Sequence, residues 1–164
     1  MTTARAILYA ATCWPAIALG VGSHCSSHEA RIFSWDTGKG VVSVCASQDL
    51  SARSGYLQYR FGPLGQPSLM FPEITARPEK DVRVRTLTFA GGGGAYVRFR
   101  RSQYAYVVYD ALIKGSGERA GVAVIHAGKT IANLSCRNPA ASSLGPDFFA
   151  AAGLVTDDDD FEIP

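Results

Sequence analysis

Between Gly91 and Tyr106 the chain gathers the side chains with most to offer a partner. Four glycines, Gly91, Gly92, Gly93 and Gly94, come first, followed by Tyr96, Arg98 and Arg100 and then by Tyr104 and Tyr106. Arginine and tyrosine at alternate positions place planar cations and flat rings on one face of a strand. Such a face stacks sugars or grips an acidic protein surface. The same pattern also reads as a solvated strand pair with cross-strand Tyr–Arg contacts. A phosphate loop would follow its glycines with a helix and a Lys-Ser/Thr pair. Here the strand-like Ala95-Tyr96-Val97 follows and no lysine does. The run therefore reads as a flexible turn or a place where backbone passes close to something bulky, with a binding loop as the further alternative.

Catalytic signals are sparse. His24 and His28 lie near the start and His126 in a predicted hairpin tip, and neither G-x-S-x-G nor H-E-x-x-H occurs. Asp110, Glu73 and Glu118 are scattered, so an acid/base pair would have to assemble in space. No Cys or His pair has zinc-site spacing, and no cofactor or metal is expected. Asn133-Leu134-Ser135 matches a glycosylation acceptor but falls inside a predicted strand.

The start of the chain has the three-part layout of a secretory signal peptide, assigned to residues 1–22. Arg5 is the charge, Ala6 to Leu19 the apolar run, and Ala18-Leu19-Gly20 or Val21-Gly22-Ser23 the cleavage region. The run is shorter than the ~20 residues a membrane span needs. Export to the periplasm or beyond follows as the expectation, which makes nucleic acid a poor partner and disulfides stable. Cys13 leaves with the leader, so Cys25, Cys45 and Cys136 allow one bridge and one free thiol. Placing Cys25 in a mobile terminus favours Cys45–Cys136, with Cys25–Cys45 as the rival. Lipidation of Cys25 is a further alternative, although Gly22-Ser23-His24 lacks the usual preceding leucine.

The elements that must carry these side chains read as strands. Of 164 residues, 47% are hydrophobic, 18% charged and 17 are glycine, which suits one turn-rich β domain. Arg31–Trp35 and Val41–Cys45 form a hairpin. Gly55–Phe61 alternates, with Leu57, Tyr59 and Phe61 on one face. A short strand ends at Pro72, and Val82–Ala90 alternates with a phase change at Arg85-Thr86 that suggests a bulge or a strand break. Ala95–Arg101 and Gln103–Leu112 make the clearest hairpin, with Arg101-Ser102 at its tip. A last hairpin turns at His126–Lys129. Pro146 and Asp147 then start a short helix that Gly153 ends. The expected fold is a single antiparallel β-barrel or sandwich of about eight strands with a short C-terminal helix, spanning 23–156. Residues 157–164 form a tail with five acids, Asp157 to Asp160 and Glu162, against no base. Such a tail is a solvated end, or folds back over a basic face, or competes there with an anionic partner.

Two resemblances add to this reading. Phrases such as VSVCAS, GYLQYRFG, GGGGAYVRF and DFEIP resemble small exported proteins of Gram-negative bacteria that carry no assigned activity. The order of elements is also similar to the membrane-bound or periplasmic C-type lysozyme inhibitors, which are small antiparallel β-barrels. Phe33-Ser34-Trp35 matches their first aromatic-x-Cys element, Gly92-Gly93-Gly94-Ala95-Tyr96 their inhibitory Ser-Gly-x-x-Tyr loop, Tyr104–Tyr109 their aromatic strand and Asn133–Cys136 their last strand. Trp35 replaces the first family cysteine, and Gly92 replaces the loop serine. The resemblance implies a protein-binding domain that blocks a cell-wall hydrolase, with Tyr96 as the matched functional position. An envelope glycan-binding or structural protein of unknown ligand is the alternative.

Overall fold

The computed structural model describes residues 22–136 and 139–164. All but one residue of the expected signal peptide lie outside the described residues. Two five-stranded antiparallel sheets stack face to face. The first sheet runs in the order β10-β1-β2-β3-β4, with β1 Glu29–Asp36, β2 Val41–Ser47, β3 Leu57–Gly62, β4 Leu69–Phe71 and β10 Ala141–Ser142. The second sheet is a meander, β5 Val82–Phe89, β6 Gly92–Arg101, β7 Tyr104–Ile113, β8 Gly117–His126 and β9 Lys129–Ser135. Separate sheets decide for a sandwich over the barrel. The helix α1, Pro146–Ala151, begins at its proline, and Gly153 ends it at φ 62. Among the described residues no helix is long and apolar enough to cross a membrane.

Strand alternation builds the core. Phe33, Trp35, Val42, Val44, Leu57 and Tyr59 of the first sheet meet Val82, Val84, Val97, Phe99, Val108 and Val122 of the second, and Phe149 of α1 joins them. Tyr106 also faces this core and stacks on Tyr59 at 5.2 Å. Burial of this apolar surface is the main stabilising force.

The outer faces of both sheets are covered too, each by a terminal segment. Residues 22–28 lie over Ser34, Ser43 and Cys45. Ser34 Oγ donates to Gly22 O at 2.7 Å, and the His24 amide donates to Ser43 Oγ at 3.0 Å. Glu29 clamps this layer: Arg60 reaches its two carboxylate oxygens at 2.5 and 2.8 Å, and Tyr56 Oη donates at 2.7 Å. Burial opposes ionisation of Glu29, but hydrogen bonds from Arg60, the Ser26 amide and Tyr56 outweigh it and hold its carboxyl down to about 2.

This layer corrects the expected bridge. The disulfide joins Cys25 to Cys45, with Cα atoms 5.3 Å apart, and Cys136 is free. The preference for Cys45–Cys136 assumed a mobile Cys25, whereas the segment is hydrogen-bonded along β2. Cys45 points to the outer face of the first sheet, and Cys136 follows β9 of the second. The bridge also takes the Cys25 sulfur that a lipid anchor would need.

A second correction concerns β5. It pairs with β6 without any register shift from Val82↔Phe99 to Phe89↔Gly92, so no bulge lies at Arg85-Thr86. The phase change has another cause: Val82 and Val84 face the core, while Leu87 faces outward into a second apolar cluster.

Candidate functional site

The glycine run is strand rather than loop. Only Gly91 sits in the β5–β6 turn, at φ 86, while Gly92 pairs with β5 and Gly93 and Gly94 pair with both β5 and β7 within β6. A Cβ at Gly94 would stand 2.7 Å from the Cβ of Ala111, and one at Gly92 would meet the Leu112 carbonyl. These glycines let neighbouring strands approach; they present no exposed backbone loop.

Downstream, β6 alternates as its sequence predicts. Ala95, Val97 and Phe99 enter the core, and Tyr96, Arg98 and Arg100 point outward. The partners across β7 differ from expectation. The turn residues are Ser102 and Gln103, so Tyr96 pairs with Tyr109, Arg98 with Val107 and Arg100 with Ala105. Tyr104 and Tyr106 therefore occupy the opposite face. Tyr104 stacks on His126 at the hairpin tips, with ring centroids 4.4 Å apart, and Tyr106 packs inward. Tyr109 is the aromatic neighbour of Tyr96. The sequence carried a signal for it, because any two-residue turn pairs even-numbered with odd-numbered positions here, and thus Tyr96 with an odd residue.

The outward Tyr/Arg face is occupied by the acidic tail. After α1 the chain passes the edge of β5, where the Val84 amide donates to Val155 O and the Asp157 amide to Val84 O. Asp157 then sits fully buried on the sheet. Arg98 Nε donates to its Oδ2 at 2.5 Å, Arg100 to its Oδ1 at 2.8 Å, and Tyr96 Oη to Oδ2 at 3.1 Å. Burial pushes the Tyr96 hydroxyl up, so it stays protonated and donates. The next residues are held from the side: Arg100 reaches Asp159 at 2.9 Å and Arg85 reaches Asp160 at 2.9 Å. Arg98 also lies over the Tyr96 ring, 5.7 Å from its centroid. Phe161 meets Tyr96 edge-on at 5.2 Å and leans on Tyr109 at 5.9 Å. Ile163 joins the same cluster with Leu87, Val107, Ala123 and Ile125. Of the three roles the sequence left open for the tail, the fold-back is the arrangement adopted.

A separate cleft of about 420 Å³ is lined by Asp110, Glu118, Cys136 and Ser142, among others. It supplies paired carboxylates without a histidine. Burial and the nearby Asp110 charge push the Cys136 thiol up to about 12, so at neutral pH it is not a thiolate nucleophile. His126 stands apart at its tip. Asn133 lies on the edge strand β9, where it accepts the Tyr109 hydroxyl at 3.0 Å. Among the described residues no three His, Cys, Asp or Glu side chains form a metal-binding group. The arrangement with the greatest chemical definition is thus a basic aromatic surface that holds an acidic polypeptide. No family model matches this chain, and no curated protein or solved structure matches it either.

Proposed function

We propose that this chain is an exported protein-binding domain that recognises an acidic surface through the Tyr/Arg face of its second sheet. The sequence reading narrows the partner to a cell-wall hydrolase, which the domain blocks as an inhibitor or immunity-type protein. One observation carries the reading: Arg98, Arg100 and Tyr96 converge on one carboxylate of an acidic segment whose phenylalanine Tyr96 also packs against. Glycan-cleaving hydrolases work with a pair of carboxylates in their clefts, so such a cleft offers acceptors to arginine and tyrosine anchors. Affinity would rest on a few tyrosine and arginine anchors, and inhibition on steric occlusion. The Cys25–Cys45 bridge supports export, since such bridges persist in oxidising compartments.

The test is capture from an envelope extract by the immobilised full chain and by an Arg85→Glu/Arg100→Glu variant, with each captured protein assayed for peptidoglycan cleavage. Retention of a hydrolase by the wild type alone supports the reading. Equal retention by both, or retention of an anionic glycan instead of a protein, removes it.

A further inference from the structure

The tail divides at Asp157 into two parts held by different forces. Up to Asp157 it is fixed by backbone hydrogen bonds to β5 and by a buried ion pair. Beyond Asp157 no backbone–backbone hydrogen bond holds it, among the described residues. Residues 158–164 are kept on the sheet by side chains only. Arg85 and Arg100 pair with exposed carboxylates, Arg98 and Tyr96 reach the carbonyls of Asp160 and Asp159, and Arg119 reaches that of Pro164. Exposed ion pairs of this kind contribute little. The remaining grip is Phe161 and Ile163, both only half-buried on Tyr96, Tyr109, Leu87 and Ile125.

We infer that residues 158–164 are a displaceable strap occupying, in cis, a docking groove for an acidic, aromatic segment of the partner protein. The strap is the template for that segment: carboxylates opposite Arg85 and Arg100, an aromatic ring on Tyr96 and Tyr109, and an aliphatic side chain two residues later. Charge complementarity is matched by shape, because an open cleft of about 600 Å³ runs beside the strap. Arg85, Leu87, Phe89 and Ile113 line it together with Phe161 and Ile163. A partner segment entering there would meet an apolar wall and a cation before the strap has fully left. The tethered strap competes at high effective concentration and sets a threshold that a weak acidic peptide does not pass. This inference rests on the protein-binding reading above and specifies its recognition chemistry.

The probe is a fluorescent, acetylated peptide of residues 158–164, titrated against full-length chains by anisotropy. The Phe161→Ala/Ile163→Ala variant, whose own strap grips poorly, is expected to bind it at least about tenfold tighter than the wild type. A second variant, Asp159→Lys/Asp160→Lys, changes only exposed residues, sets like charges against Arg85 and Arg100, and should bind the peptide tighter than the wild type by a smaller factor, with the core untouched. A peptide carrying Ala in place of its phenylalanine should bind neither variant. Equal binding by wild type and both variants, or equal binding of the two peptides, overturns the inference. A wild-type dimer that the peptide dissociates would make a second copy the occupant and overturn the assignment to a different partner. Peptide binding without hydrolase capture would remove the hydrolase reading and leave the groove's specificity standing. Capture without peptide binding would keep a partner and seat it elsewhere.

Discussion

Arg98 and Asp157 are 59 residues apart in the chain and form an ion pair of 2.5 Å, with side chains 6% and 0% exposed. The pair is the point where the tail becomes part of the domain. Two desolvated charges stabilise a fold only when their remaining valences are filled. Here Arg100 takes the second carboxylate oxygen, and Tyr96 shares the first.

Asp157→Ala leaves Arg98 buried without its counter-charge. It is expected to lower unfolding free energy by about 3–5 kcal/mol, measured in urea. Asp160→Ala removes only the exposed Arg85 contact and should leave the urea midpoint unchanged. A similar loss for both variants would mean that the whole tail is structural.

Glu29 makes stability depend on pH. Its folded-state carboxyl lies at about 2, below its ordinary value of 4.5. Its contribution is therefore complete above pH 4.5 and lost as pH falls toward 2. Glu29→Gln should be less stable at pH 7 and show a flatter stability profile between pH 4.5 and 2. Parallel profiles for variant and wild type would assign the acid sensitivity elsewhere.

The disulfide closes a loop across 20 positions. Cys25→Ser should cost about 3 kcal/mol by the loop-entropy argument. Peptide mapping without reductant should return Cys25 linked to Cys45. Cys136 should alkylate in unfolded chain but react slowly in folded chain at pH 8, because its thiol is pushed up to about 12. Fast alkylation at that pH would contradict the raised thiol of the half-buried Cys136.

Gly94→Val tests why the glycines are present. The new side chain meets Ala111 on β7, and an overpacked strand pair of this kind costs about 1–3 kcal/mol. A binding loop would instead tolerate the substitution in stability. Thermal unfolding of the variant distinguishes the two.

Local pattern was enough to read much of this protein. Period-two alternation placed Val97 and Phe99 in the core and Tyr96, Arg98 and Arg100 on the other face, because successive strand residues point to opposite sides. Pro146, Asp147 and Gly153 marked the helix, since each acts through its own backbone geometry. The acidity of residues 157–164 and the basic aromatic character of β6 were also visible. Their contact was one of three open possibilities, and only the fold decided for it. Burial of Asp157 depends on α1 delivering the chain to the edge of β5, which no local pattern encodes. Leu87 looked out of phase for the same reason, because its outer face is partly covered only when Phe161 and Ile163 lie over it. The disulfide was settled likewise by residues 22–28 lying along β2, which brings Cys25 to Cys45 and leaves Cys136 with the other sheet. Composition and spacing thus determined the strands and their two faces. Which faces were covered, and by which terminus, was decided by long-range packing that exists only in the assembled sandwich.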